Sequence, residues 1–268
     1  MKMAWSTAFH RYGPLLLEYK VYQSADPGQC FLFLHGYGQD FHCYNPLYKS
    51  LAEQNATFIS IHLPFHGESR MEAELLNPTV WIESVRLILE KEGCSRVHGI
   101  AFSMGAKFLL VAAQNLPQVF SQITLLAPDG LVKNPWYHFA TSSGFGRVCL
   151  RTGLFLFPGL KFFFRCLVYL KWVRPGMMRF ALSELRDRQG REKLLSVWLG
   201  FREIWPAMQL LRSVLLAHAI PMQVFLGRYD SILPLYRYKK LMKREEWIKW
   251  YVLETGHAGL VEKYASGF

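Results

Sequence analysis

The chain has 268 residues, of which 51% are hydrophobic and 15% aromatic, and it carries a formal net charge of +11. This length accommodates one large α/β domain with an insertion, and it excludes a small scaffold that depends on disulfides or bound metals for stability. Five scattered cysteines without a C-x-x-C pair predict neither a disulfide framework nor a zinc site, and they favour a reducing, cytoplasmic compartment.

Strand patterns and helix patterns alternate through the first half of the chain. Residues 15–24 alternate apolar and polar side chains, which predicts an antiparallel edge strand. Buried strands are predicted within 30–38, 56–69, 96–103 and 122–130, and each of the last three follows a helical pattern. Buried strands that are separated by helices are typical of βαβ units, so we expect an α/β fold with a mostly parallel sheet.

The alternation stops at about residue 131 and resumes at about residue 219. Between them lie helix-like apolar and aromatic stretches, interrupted by glycine and proline. We therefore predict an α/β core of residues 1–130 and 219–268, with a helical cap inserted at 131–218. No apolar run reaches the roughly 18 residues of a membrane span, and the amino terminus lacks the apolar segment of a signal peptide.

Candidate catalytic residues follow three of the predicted strands. A serine hydroxyl becomes a useful nucleophile only when a histidine takes its proton, an acid orients that histidine and N–H groups receive the developing negative charge. Ser103 lies where the strand within 96–103 passes into a helix, with the small residues Ala101 and Gly105 on either side. Asp230 and His257 lie just beyond the last two predicted strands.

Two other acids could orient the histidine. Asp129 follows the strand after the nucleophile helix, and Glu254 precedes His257 by three residues. The sequence favours Asp230 over both but leaves the choice open.

Four separated motifs together resemble those of the α/β-hydrolase family. They are "HGYG" at 35–38, "HLPFHGES" at 62–69, "AFSMG" at 101–105, and the pair "GRYDSILP" and "TGHAGL" near the end of the chain. The resemblance implies an α/β-hydrolase fold and a serine hydrolase with Ser103, His257 and Asp230 as its triad and no metal or organic cofactor. The sequence departs from the family pattern at His62, Phe65 and Ala101.

The resemblance also assigns residues around the nucleophile. The backbone N–H groups of Tyr37 and Met104 are the candidates for the oxyanion hole. His35, Gly36, Phe65 and Phe102 are assigned to the substrate site, and His35 is further expected to order its loop by hydrogen bonding.

An ester or thioester with a hydrophobic acyl group is the expected substrate, cleaved through an acyl-enzyme. The alternatives are a non-hydrolytic enzyme of the same fold, such as an acyltransferase or lyase, and a member that binds a ligand without catalysis. Family membership alone does not choose the substrate, because one fold hosts many chemistries.

The positive charge is concentrated in the predicted cap. Residues 133–193 hold 12 Lys and Arg against 3 Asp and Glu, a net +9, and no acidic residue occurs from 130 to 183. This distribution indicates peripheral contact with an anionic membrane or lipid, an anionic soluble substrate, or a solvated cationic face. Nucleic acid is a poor fit because no nucleic-acid-binding motif accompanies the charge. The eight basic residues between 130 and 183 are Lys133, Arg147, Arg151, Lys161, Arg165, Lys171, Arg174 and Arg179.

Overall fold

The structure is a computed structural model that describes residues 4–24, 28–51, 55–133, 135–155 and 187–267. The chain divides into two compact units. The first comprises Met1–Val132 and Ile204–Phe268, and the second comprises Lys133–Glu203.

Nine strands in the described part of the chain form one sheet in the first unit. Its order is β1-β2-β4-β3-β6-β7-β8-β9, and the short β5 also pairs with β2. The neighbouring strands β4, β3, β6, β7, β8 and β9 pair with one another in parallel. β1, β2 and β5 are antiparallel to their neighbours. The strands are β1 Ser6–Tyr12, β2 Leu15–Tyr22, β3 Gln29–Leu34, β4 Ala56–Ile61, β5 Arg70–Met71, β6 Val97–Phe102, β7 Phe120–Leu126, β8 Met222–Gly227 and β9 Lys249–Leu253.

The predicted α/β class with a mostly parallel sheet is confirmed, and the antiparallel strand predicted within 15–24 is present, but its edge position is wrong. β2, expected as an edge strand, is internal because β1 pairs along its outer side. β1 was not predicted because most of its residues are exposed, so it lacks the apolar run that marks a buried strand.

Helices connect the parallel strands and cover the sheet. α2 begins after Asn77, whose side chain accepts a hydrogen bond from the Thr79 N–H at 2.8 Å, and α3 is buried along most of its length. The helices are α1 Asn45–Leu51, α2 Pro78–Lys91, α3 Gly105–Asn115, α4 Pro135–Ser142, α5 Gly144–Phe155, α6 Arg188–Gly200, α7 Met208–Ala217, α8 Lys239–Arg244 and α9 Leu260–Ala265.

The second unit contains α4, α5 and α6 among its described residues. It ends at Glu203, so α7 belongs to the first unit, although the predicted cap extends to residue 218. Of the eight basic residues named above between 130 and 183, Lys133, Arg147 and Arg151 are described, and the others lie outside the described residues. No helix in the described part of the chain is long and apolar enough to cross a bilayer.

A disulfide joins Cys30, in β3, to Cys94, which follows α2, with their Cα atoms 6.0 Å apart. The expectation that the cysteines are unpaired is therefore wrong for these two. They are 64 residues apart in sequence, and they meet because β6 pairs with β3 in the register that places Val97 opposite Cys30. The cysteine content thus gives no support to the expected reducing compartment.

Candidate active site

Ser103 occupies a sharp turn between β6 and α3. Its φ is +51°, in the left-handed region that costs a residue with a side chain about 1 kcal/mol or more. Hydrogen bonds hold the backbone there: the Ser103 N–H donates to the Leu126 carbonyl, and the Ser103 carbonyl accepts from the N–H groups of Ala106 and Asp129, all at 2.9–3.1 Å. The turn projects the Ser103 side chain from the carboxyl end of the central strand.

Small residues permit this turn to lie against the neighbouring strand. A Cβ on Gly105 would lie 2.2 Å from the Leu34 carbonyl oxygen, and one on Gly36 would lie 3.2 Å from the Ser103 Cβ. Ala101, which departs from the family pattern, is fully buried in β6, between the backbone positions of Leu34 and Leu125. The sheet therefore accommodates its methyl group in the core.

A chain of hydrogen bonds connects Ser103, His257 and Asp230. The His257 Nε2 lies 3.2 Å from the Ser103 Oγ, and the His257 Nδ1 lies 2.6 Å from the Asp230 Oδ2. The other carboxylate oxygen of Asp230 accepts from the N–H groups of Ile232 and Leu233, each at 2.8 Å. An ionised carboxylate only accepts hydrogen bonds, so this arrangement favours a proton on Nδ1 and leaves Nε2 to accept the proton of the serine hydroxyl.

The same edge of the sheet brings these three residues together. β6, β8 and β9 run parallel, and Ser103, Asp230 and His257 follow their carboxyl ends. The side chain of Asp230 is fully buried and that of His257 is 14% exposed. The Phe102 ring packs on the His257 ring with centroids 4.9 Å apart, which helps to fix the plane of the imidazole.

The two alternative acids have other partners. The Asp129 carboxylate faces the Lys107 Nζ at 3.9 Å, and its backbone N–H holds the Ser103 carbonyl. Burial lowers the pKa of Lys107, an effect that the nearby Asp129 opposes. Glu254 pairs with Arg228 at the surface. Asp230 is thus the acid that contacts His257.

The two predicted oxyanion donors belong to segments that adjoin Ser103. Met104 directly precedes α3, where the helix dipole favours negative charge. Its N–H donates to no acceptor among the described residues. Tyr37 follows Gly36, whose backbone approaches the serine closely.

Buried histidines connect the loop after β3 to the loop after β4. The His35 Nδ1 lies 2.7 Å from the Gly36 carbonyl oxygen, and its Nε2 accepts from the Leu63 N–H at 3.1 Å. The His66 Nε2 accepts from the Gly38 N–H at 3.0 Å. These contacts position the segment that carries Tyr37.

Glu18 in β2 belongs to the same buried network, and sequence reasoning missed it. Its carboxylate lies 2.9 Å from the His62 Nδ1 and accepts from the Glu68 N–H at 2.7 Å. Burial alone would raise the pKa of Glu18, but these hydrogen bonds and Lys20 outweigh it and lower the pKa to about 2. An acidic residue that directly follows the apolar run Leu15–Leu17 was the signal that could have identified it.

Phe65 has a φ of +66° at the position where the family's second motif carries glycine. Its side chain is half-buried in the loop after β4. The substrate-site assignment of Phe65, Gly36, His35 and Phe102 stays a prediction. The described residues contain no cluster of three or more side chains suited to holding a metal ion.

Comparison with known proteins places the chain in a family. The sequence profile described as "alpha/beta hydrolase fold" matches residues 29–165, just over half of the chain. The chain belongs to the α/β hydrolase family. No curated protein sequence matches it.

Solved structures of other α/β hydrolases share the fold at low sequence identity. A thermophilic esterase from Thermogutta terrifontis superposes with a TM-score of 0.68 and 15% identity, over 98% of this chain and 95% of that chain. The thioesterase domain of the curacin biosynthetic pathway gives 0.60 and 14%, over 98% and 97%. A bacterial membrane phospholipase A gives 0.64 and 17%, over 98% and 84%. At this identity the likeness concerns the fold.

Proposed function

We propose that this α/β hydrolase is a serine hydrolase that cleaves an ester or thioester through an acyl-enzyme. The observation that carries the proposal is the hydrogen-bond chain from the Ser103 Oγ through His257 to Asp230, built on a strained strand-to-helix turn. Each group has the partner that its role requires.

In the proposed mechanism, the His257 Nε2 takes the Ser103 proton as the Oγ attacks the carbonyl carbon. Asp230 holds the ring in the required tautomer and stabilises the imidazolium that forms. The N–H groups of Tyr37 and Met104 receive the oxyanion. His257 then gives its proton to the leaving alcohol or thiol, and it activates the water that hydrolyses the acyl-Ser103 ester and regenerates the free serine.

The second unit is proposed to act as the cap that selects the acyl group. A hydrophobic acyl group is favoured by the aromatic residues of the predicted cap, although residues 157–172, which hold six of them, lie outside the described residues. The fold is shared with proteins described as an esterase, a thioesterase and a phospholipase, which supports acyl chemistry as the class of reaction.

Active-site labelling tests the nucleophile directly. A fluorophosphonate probe should label the wild type and fail to label Ser103→Ala, whereas the control Ser121→Ala, at an exposed position of β7, should label normally. A folded wild-type protein that does not react would favour the non-catalytic ligand-binding alternative.

A substrate panel tests the reaction. p-Nitrophenyl esters and acyl thioesters of increasing chain length should be hydrolysed by the wild type and by Ser121→Ala, but not by Ser103→Ala. Full activity in Ser103→Ala would refute the assignment of the nucleophile. Transfer of the acyl group to an added alcohol in preference to water would identify an acyltransferase.

A further inference from the structure

Helices α4 and α5 of the second unit expose large apolar side chains. Phe145 is 73% exposed, Val148 is 62% exposed and Phe139 is 48% exposed. We call these three residues the α4–α5 patch. Scattered single apolar residues are normal on a surface, but here two aromatic rings lie side by side, with centroids 6.5 Å apart.

Local sequence builds the turn that brings the rings together. The Ser143 Oγ accepts from the Gly146 N–H at 2.8 Å, which caps the start of α5. A Cβ on Gly146 would lie 2.1 Å from the Phe139 carbonyl oxygen, so only glycine allows α5 to approach α4 this closely. Arg147 donates to the carbonyl of Ser142 at 3.0 Å and so satisfies the end of α4.

The opposite side of α4 is anchored within the second unit, which leaves the patch facing outward. The Tyr137 hydroxyl donates to the Trp198 carbonyl of α6 at 3.1 Å, and the two rings lie 5.4 Å apart. Thr141, one turn further along α4, is buried. In α5, the exposed residues Phe145, Val148, Cys149 and Thr152 form one stripe with the i, i+3, i+4, i+7 spacing of a single helical face.

The charged side chains of α4 and α5 have one sign. Arg151 is exposed and lies one turn from Val148, and α4 and α5 contain no acidic residue. The sequence from 130 to 183, which includes both helices, has no Asp or Glu at all. An anionic protein partner would match the charge, but a lipid surface matches both the charge and the exposed apolar rings.

We propose that the α4–α5 patch docks the protein on the surface of an anionic lipid bilayer. Phe145, Val148 and Phe139 enter the boundary between headgroups and acyl chains, and Arg151 contacts the lipid phosphates. The interaction is peripheral, because binding rests on a few apolar side chains and the attraction of basic residues to anionic lipid. It does not depend on Ser103, so it can be tested separately from catalysis.

Vesicle sedimentation with the full chain tests the proposal. The probe is vesicles of phosphatidylcholine containing about a quarter phosphatidylglycerol, compared with vesicles of phosphatidylcholine alone. The protein should bind the anionic vesicles at low salt, release as salt screens the attraction, and bind the neutral vesicles at least about tenfold more weakly.

Two variants and a matched control test whether vesicle binding depends on this surface. Phe145→Ser/Val148→Ser should lower the partition coefficient at least about tenfold, and Arg151→Glu should lower it about 30-fold, since it removes one attraction and adds a repulsion. The matched control Leu210→Ser/Leu216→Ser removes two leucines that are 51% and 52% exposed on α7. It should change binding less than about twofold, and circular dichroism should show that all variants keep their helix content.

Several results would overturn the proposal. These are no binding of the wild type to anionic vesicles at low salt, unchanged binding of Phe145→Ser/Val148→Ser, or an equal loss in the α7 control. A dimer that forms without lipid and is lost in the patch variant, with no vesicle binding, would show that the surface joins two copies of the chain. Ser103→Ala should bind vesicles as the wild type does, so an inactive protein would leave this test intact.

Discussion

The buried carboxylate of Glu18 gives a quantitative prediction about the loops beside the candidate nucleophile. Glu18→Gln keeps the side-chain volume and removes the negative charge that His62, Lys20 and the Glu68 N–H surround. The loop after β4 then loses the hydrogen bonds to a charged acceptor that join it to β2. His62 also accepts from the Phe41 N–H at 3.3 Å, so the effect should extend to the segment that follows Tyr37.

The magnitude follows from the pKa of Glu18, which falls from 4.5 to about 2 on folding. At about 1.4 kcal/mol per unit, the ionised carboxylate stabilises the folded state by at most about 3.5 kcal/mol. Because the folded-state pKa is the lower one, this stabilisation is complete above pH 4.5 and is lost as the pH falls from 4.5 towards 2. The difference between wild type and Glu18→Gln should therefore be largest at neutral pH.

Urea unfolding followed by tryptophan fluorescence measures this difference. At about pH 7 the variant should lose about 2–3 kcal/mol of unfolding free energy, and at about pH 3 the loss should shrink to less than half. Glu72→Gln is the matched control, because Glu72 pairs with Arg11 at the surface, where such a pair is worth less than about 1 kcal/mol. A loss at neutral pH no larger than the control's, or a loss that does not change with pH, would refute the reasoning.

Three further predictions concern the candidate active site. Asp230→Asn should lower kcat about 10³- to 10⁴-fold in the substrate panel with little change in KM, since it removes the group that orients His257, and a loss under tenfold would contradict that role. Gly105→Ala should destabilise the protein or prevent its expression in folded form, because a Cβ there meets the Leu34 carbonyl at 2.2 Å. The control Gly153→Ala has open space around its Cβ, so it should unfold at a urea concentration equal to or higher than that of the wild type. Asp129→Asn should cost about 2–3 kcal/mol in urea unfolding because it removes the carboxylate that faces the buried charge of Lys107, while Lys107→Met should cost less than about 1 kcal/mol; equal losses would argue against an ionic pair.

Much of the fold could be predicted from the sequence, because its signals are local. Apolar runs that end in glycine mark the parallel strands, and helical patterns separate them, so the central sheet followed from the order of the elements. β1 was missed because an exposed strand has no apolar run. The edge position of β2 was wrong for the same reason, since only the pairing partner determines which strand is outermost.

Some residues of the candidate site could be predicted from local motifs, and others could not. Ser103, Asp230 and His257 were predicted from motifs at strand ends, and the structure brings them within hydrogen-bonding distance. Glu18 was not predicted, because its partner His62 is 44 residues away and no local motif links them. The structure also puts Asp129 beside Lys107, a contact that the sequence left open.

By itself, the sequence determined the chain order of Ser103, Asp230 and His257, the glycines that allow the turn at Ser103, and the concentration of positive charge between 133 and 193. Each of these can be seen in the linear order of the residues. Only the tertiary structure decided which acid contacts His257, that Cys30 and Cys94 are bonded, and that Phe139 and Phe145 lie together on the surface. Those contacts depend on strand register and on the angle between helices, which are set by the packing of the whole unit.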